Sequence, residues 1–314
     1  MIGRAVVTGG AGFIGSHLVT RLIDDGGEVL VIDDLSSGRL ERLADARAAG
    51  GVHFHQMDIR AEELNDTLAQ FQPEIVFHHA AQIDVRHSVA DPVHDASVNV
   101  VGTVNLLQAA SRAGAERVVF ASSGGATYGD VDVFPTPESV TRRPESPYGV
   151  SKLVADDYLR YYADTMNLDF VSLGYSNVYG PRQDPHGEAG VVAIFTMKLL
   201  NGETPTIFGD GGQLRDYVYV EDVADACIRA AEVGGGVYLN IGTGRETSVL
   251  ELFEMLRGVV GVELEPEFAS AKAGDIPRSV LDAGAAKDHL GWEAWTSLDD
   301  GLAETVAWFK AQGR

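Results

Sequence analysis

Thr8-Gly9-Gly10-Ala11-Gly12-Phe13-Ile14-Gly15 lies between a short apolar run, Ala5–Val7, and a stretch of helical spacing, Phe13–Leu22. Its glycines recur at Gly9, Gly12 and Gly15, a variant of the fingerprint by which a strand-turn-helix unit holds a dinucleotide. Gly9 permits the tight turn, Gly12 lets backbone N–H groups approach a pyrophosphate at the helix N-terminus, and Gly15 lets the helix pack close to the sheet. A glycine-rich turn alone is a weak signal; the flanking strand and helix give it weight. Asp33 closes the second apolar run, where a carboxylate can bind the adenosine ribose hydroxyls. The same carboxylate repels a 2′-phosphate, so the pattern points to NAD rather than NADP. Arg39, nearby, reads as a solvated charge at a helix start. The expected cofactor-binding residues here are Gly9, Gly12, Phe13, Ile14, Gly15, Asp33, Ser37 and Gly38.

Outward from this motif the chain alternates. Apolar runs at Val29–Ile32, Val52–His55, Ile75–Phe77, Val118–Ala121 and Phe170–Leu173 are separated by helical stretches such as Val98–Ala110 and Val150–Tyr162. Short continuous apolar strands between helices predict a doubly wound α/β fold, a parallel sheet covered on both faces. After Leu173 the rhythm breaks at Gly180-Pro181-Arg182-Gln183-Asp184-Pro185-His186-Gly187, a loop by composition. A helix is expected near Val191–Leu200 and an amphipathic one over Leu298–Lys310. The reading divides the chain into an NAD-binding domain, 1–175, and a smaller α/β substrate domain, 176–314. The segment about 218–242 returns to the first.

The 314 residues carry 24 Lys+Arg against 46 Asp+Glu, a net charge of −22. A polyanion needs a basic footprint, so nucleic acid is not an expected partner. No apolar run approaches the ~18 residues of a membrane span, and the N-terminus enters a strand at once rather than a leader. Cys227 is the single cysteine and points to a reducing, cytoplasmic setting. Neither an HExxH pattern nor a Cys/His cluster occurs, so no metal is expected. His78 and His79 are adjacent and face opposite ways on a strand, which suits packing better than shared ligation.

Tyr148-Gly149-Val150-Ser151-Lys152 opens a predicted helix and places Tyr148 and Lys152 on one face. An ammonium beside a phenol favours the phenolate and lowers its pKa, so this pair suits proton abstraction from a hydroxyl while hydride leaves the same carbon. Following a dinucleotide fingerprint, the pair completes a set of motifs. Also present are Asp58-Ile59, His79-Ala80-Ala81, Asn99, Ser122-Ser123, Asn177-Val178-Tyr179-Gly180-Pro181-Arg182 and Arg215-Asp216-Tyr217-Val218. With these, nearly the whole chain resembles the extended short-chain dehydrogenase/reductases, and within them the UDP-galactose 4-epimerase group of nucleotide-sugar enzymes. The resemblance implies that Asp58 and Ile59 hold the adenine edge and that Ala80, Ala81 and Gln82 line the cofactor, with Asn99 near the nicotinamide. It implies Tyr148, Lys152 and Ser123 as catalytic residues, with Ser122 the alternative serine facing the sheet interior. It also implies substrate contacts from Ser123, Asn177, Arg215, Lys272, Asp275, Arg278 and Ser279 to a UDP-sugar, and a homodimer through helices near Val93–Ala113 and Tyr148–Thr165.

Dehydratases of this group follow the catalytic hydroxyl residue with Asp-Glu; here Gly124-Gly125 follows Ser123. Elimination of water would lack its acid and base, so the expected reaction is oxidation and re-reduction at C4 of UDP-glucose or UDP-galactose. Three departures stand out. Relatives carry arginine where Lys272 stands, so that contact is expected to be weaker, lacking the bidentate fork. Gly174 and Ser176 replace residues that are often Arg and Phe. Ser279 occupies a position where tyrosine excludes an N-acetyl sugar, so the acetamido substrates are expected to be admitted as well.

Overall fold

The computed structural model describes residues 2–186, 190–271 and 276–313. The first half runs β1 (Arg4–Thr8), α1 (Phe13–Asp24), β2 (Glu28–Asp33), α2 (Ala44–Ala49), β3 (Val52–Gln56), α3 (Leu64–Phe71) and β4 (Ile75–His78). There follow α4 (Val85–Ala90), α5 (Pro92–Ala96), α6 (Thr103–Ala113), β5 (Arg117–Ser123), α7 (Gly124–Thr127), α8 (Pro147–Met166) and β6 (Asp169–Tyr175). The second half comprises β7 (Asn177–Tyr179), α9 (Val191–Leu200), β8 (Thr206–Phe208), β9 (Leu214–Arg215), β10 (Tyr217–Tyr219), α10 (Val220–Val233) and β11 (Val237–Ile241). It ends with β12 (Thr247–Ser248), α11 (Val249–Val260), β13 (Glu267–Ala269), β14 (Arg278–Ser279), α12 (Gly284–Leu290) and α13 (Leu298–Ala311).

Seven parallel strands make the central sheet in the order β11-β6-β5-β4-β1-β2-β3. The doubly wound α/β fold read from the sequence is therefore the fold observed. The inner strands have no solvated face, which is why they read as continuous apolar runs: Val6, Val7, Val29, Val31, Val118 and Val119 are all fully buried. One core, with Leu18, Val31, Phe77 and Cys227, fills one side of the sheet; another, with Leu68, Leu107, Phe120 and Leu159, fills the other. The strand order reverses between β1 and β4, and the crevice at the carboxyl ends of those strands is where such sheets bind ligands. A third core, around Tyr179, Phe195, Phe253 and Val306, holds α9, α11 and α13 together.

Local chemistry accounts for the helix ends that matter. Ser146 caps α8 by accepting from Gly149 N, and Pro147 occupies the first helical position. The single helix expected around Val98–Ala110 is instead α5, a π-helical turn over Ser97–Gly102, and then α6. Such wide turns are rare and cluster at functional sites. Trp292 is buried, whereas Trp295 is exposed. Among the described residues no helix is long and apolar enough to cross a membrane.

Candidate active site

A cavity of about 570 Å³ opens at the reversal point. The glycine turn forms its floor. Gly9 has a left-handed φ of +69°, and a Cβ there would meet the backbone of His79 and Ala80 within 2.9 Å. A Cβ on Gly15 would come 2.3 Å from Gly9 O, so only glycine lets α1 approach this closely. Phe13, Ile14, Ser37, Asp58, Ile59, Ala80, Ala81, Gln82, Tyr148 and Lys152 line the same cavity with Gly9, Gly12, Gly15 and Asp33. This cradle, shaped for backbone contact with a dinucleotide, fits NAD.

Asp33 closes β2 with its carboxylate buried and accepting from Ala11 N and Leu35 N, both at 2.9 Å. Burial pushes its pKa up, and those two N–H bonds pull it back. Gly38 leaves room for that carboxylate: a Cβ would lie 2.5 Å from Oδ1. Asp58 is held by Arg60, whose hydrogen bonds lower its pKa. Asn99 does not line the cavity directly. It accepts from Gln82 N and donates to Gln82 O, both at 2.9 Å, and so shapes the loop that does.

At the inner end stand Tyr148 and Lys152. The Lys152 ammonium lies 5.8 Å from the Tyr148 ring centroid and donates to Ala121 O at 2.8 Å. The expectation of a phenol pKa lowered toward neutrality is corrected here. Burial pushes Tyr148 up to about 12, the Asp95 charge adds to the rise, and a hydrogen bond with Ser123 opposes it. Burial also brings Lys152 down to about 8, against the pull of Asp156 and Asp95. Without added positive charge the pair therefore keeps its phenol proton.

The two serines are told apart by their partners. Ser122 Oγ donates to the buried Asp156 at 3.4 Å, facing α8 rather than lying idle in the sheet. Ser123 caps α7, accepting from Ala126 N at 3.2 Å, at the end of β5 beside Tyr148. A Cβ on Gly125 would lie 3.5 Å from Ser279 Oγ, so Ser279 of β14 sits across from the turn that follows Ser123. β14 pairs with β9 and sets Ser279 beside Arg215. Arg215 bonds Leu214 O, while the Asp216 carboxylate takes Thr243 N, Thr243 Oγ1 and Gly244 N. Asn177 is exposed at the start of β7. Arg278 stacks 4.3 Å over Phe134 and bonds Glu246 at 2.8 Å, so as it stands the guanidinium is engaged away from a diphosphate. Lys272 and Asp275 lie outside the described residues.

Several lining residues escaped the sequence reading. Arg42 reaches Ala11 O and Ser37 O at 3.3 Å. Tyr175 meets His79, the histidine read from the sequence as a packing residue, at 3.2 Å in the cavity wall, and burial drops the His79 pKa to about 3. Gln183, Asp184 and His186 bring the second half of the chain to the same cavity. Arg182, with a left-handed φ of +68°, fastens that loop to α1 through Ser16 O and Thr20 Oγ1. Nothing in single-sequence spacing announces a loop that folds back over a site more than a hundred residues earlier.

A doubly wound sheet, a glycine cradle at its reversal point and a Tyr-Lys pair at the cradle's inner end define a dinucleotide-dependent oxidoreductive enzyme. Residues 5–242 match the NAD dependent epimerase/dehydratase family, and the chain belongs to that family. It is 51% identical over 308 residues to a UDP-glucose 4-epimerase of Mycolicibacterium smegmatis, covering 98% of each chain. Its fold superimposes on a UDP-glucose 4-epimerase of Thermotoga maritima, solved with UDP-glucose, with a TM-score of 0.96 at 46% identity over 99% of this chain and 100% of that one. A UDP-N-acetylglucosamine 4-epimerase of Methanobrevibacter ruminantium, in complex with UDP-N-acetylmuramic acid, gives 0.95 at 36% identity over 99% and 100%. The chain is thus an NAD-dependent enzyme of the same isomerase type as those epimerases.

Proposed function

We propose that the protein interconverts the C4 epimers of a UDP-hexose, UDP-glucose and UDP-galactose, through a transient 4-keto sugar. The observation that carries this reading is the pairing of Tyr148 and Lys152 at the inner end of the cradle with glycines, not carboxylates, at the two positions after Ser123. NAD held in this cradle would supply the acceptor, and then the donor, of the C4 hydride. Tyr148 Oη takes the proton of the 4-hydroxyl and later gives it back. Ser123 donates a hydrogen bond to the oxygen that gains charge as the carbonyl forms. Lys152, braced on Ala121 O, supports the phenolate and steadies the cofactor ribose. Asp33, Asp58, Ile59 and the Ala80–Gln82 loop hold the adenosine and nicotinamide ends. Asn177 and Arg215 anchor the diphosphate while the keto sugar turns over, with Lys272 a weaker contact; Asp275 belongs to the same substrate-binding segment, and Arg278 joins only by leaving Glu246.

The division of labour proposed at the level of the chain is a cofactor domain, 1–175 with about 218–242, and a substrate domain, 176–314. The pairing of β11 with β6 supports it. A homodimer is supported by exposed apolar side chains on the implied helices: Val93 at 78%, Val101 at 59%, Val150 at 47% and Tyr161 at 51%. The buried free thiol of Cys227 favours the cytoplasm.

Ser279 extends the reading to acetamido sugars, because its small side chain faces the turn after Ser123. The protein should act on UDP-N-acetylglucosamine and UDP-N-acetylgalactosamine as well as the plain pair, and Ser279→Tyr should lose only the former. Overlap in a packed pocket cannot relax. Equal loss of both pairs, or a native enzyme inert toward acetamido sugars, contradicts the assignment. The broader reading is tested by incubating the protein with each UDP-hexose and separating the products. Epimers formed without added cofactor support it, and a dehydrated sugar or no product refutes it.

A further inference from the structure

Asp95 is fully buried on α5, and its carboxylate is a junction between three parts of the site. Oδ1 accepts from Gln82 Nε2 at 3.0 Å and from Asn99 Nδ2 at 2.9 Å. Oδ2 accepts from Ser151 Oγ at 2.6 Å. Gln82 belongs to the loop lining the cofactor cavity, Asn99 to the π-helical turn, and Ser151 is the residue before Lys152. Ser151 and Asn99 are themselves 4% and 3% exposed. A buried carboxylate costs several kcal/mol in desolvation unless its lone pairs are met. Three donors meet them here, and each donor comes from an element that carries or borders the reacting groups.

Helical spacing explains how two of them converge. Asn99 stands four residues after Asp95, one turn on along the same face, and at the π-helical turn its side chain also meets the Gln82 backbone. α8 is pinned at the same height, since Tyr148 N donates to Ser88 Oγ at 3.2 Å.

We propose that Asp95 is a positioning residue for the Tyr148–Lys152 pair: its carboxylate ties α8, through Ser151, to the Ala80–Gln82 loop, and it faces Tyr148 from α5. The proposal rests on the reading of Tyr148 as the base. Tyr148 is faced by Asp95 from α5, by Lys152 on its own helix and by the Ser123 hydroxyl from β5. Lys152 is faced in addition by Asp156 from α8 and by His78 and His79 from β4. Burial holds both histidines uncharged through the working range, which leaves Asp95 and Asp156 as the carboxyl groups of the set. Asp156 is matched by Arg142, which leaves Asp95 to act on Tyr148. The charge raises the proton affinity of the phenol and favours the ammonium form of Lys152.

The test compares Asp95→Asn and Ser151→Ala with the native enzyme in kcat and KM for UDP-galactose from about pH 5 to 9. Asp95→Asn removes the charge at nearly constant size. Its acid limb of kcat should move to lower pH by half a unit or more, with KM within about twofold, because Asp95 touches no substrate. Ser151→Ala keeps the charge and cuts the tie, so kcat should fall about three- to tenfold while the acid limb stays in place. A folded Asp95→Asn protein with an acid limb coincident with the native one overturns the proposal. If that variant does not fold, an unchanged kcat in Ser151→Ala overturns it and the expected fall supports it. A native-like rate in Tyr148→Phe would instead overturn the parent reading, so the two failures are distinguishable.

Discussion

Burial and charge compete at Tyr148. The phenol is enclosed and its pKa stands at about 12, so it becomes a base near neutral pH only when positive charge is brought beside it. Lys152 supplies part of that charge, and its own pKa of about 8 keeps it largely protonated at pH 7. Tyr148→Phe should therefore lower kcat by two orders of magnitude or more, as general base catalysis contributes roughly 10²–10⁴-fold. UDP binding measured by calorimetry should survive, since the diphosphate is held elsewhere. Turnover within a few-fold of native would remove Tyr148 from the mechanism. At this scale the sequence was informative where a residue type serves one chemistry. Tyr148, Lys152 and the acidic residue at the end of β2 could be named from spacing. It was silent where a residue acts through space: Arg142 stacks 4.1 Å over Tyr238, and the Tyr238 hydroxyl would lie 2.0 Å from a Cβ at Gly174. That ring fills the room of a side chain at position 174 and gives the departure there a physical reason. Ser176 has no comparable explanation.

The decisive element is the β1-turn-α1 unit. Gly15 faces the Gly9 carbonyl and the Gly10 backbone, with 2.3 Å and 2.9 Å left for a Cβ. Backbone atoms cannot rotate away as a side chain can, so Gly15→Ala must lift α1 from the sheet. Overpacking of this kind costs about 1–3 kcal/mol and opens the cradle. Protein purified with Gly15→Ala should melt lower and carry less than about a tenth of the native NAD content on acid extraction. Native NAD content would show that the close approach is not needed for the cofactor. The strands and long helices of the first half were legible because their burial is uniform along each run. The π-helical turn was not, since one extra residue in a turn leaves no mark in the apolar periodicity, and the Asn99 bonds to the Gln82 backbone join residues seventeen apart. The loop carrying Gln183 and Asp184 was recognisable as a loop, but its place over the cavity depends on Arg182 reaching α1.

Over the whole molecule, 46 acidic residues face 24 basic ones. Self-repulsion of a net −22 works against the compact state. Salt shortens its range, from about 10 Å at 0.1 M to about 3 Å at 1 M. The melting temperature should rise when NaCl is raised from about 0.05 M to about 1 M; a fall would mean that local ion pairs such as Arg117–Asp169 and Arg229–Asp225 outweigh the global term.

The account as a whole rests on hydrogen leaving C4 and coming back to the same carbon within one enclosed site. UDP-glucose carrying deuterium at C4 puts that to a direct test. Incubated with the purified protein and no added NAD, it should yield UDP-galactose with the deuterium still at C4 by mass spectrometry and NMR. Loss of the label to solvent, its appearance at C6, or a product short of one water would contradict the proposed chemistry.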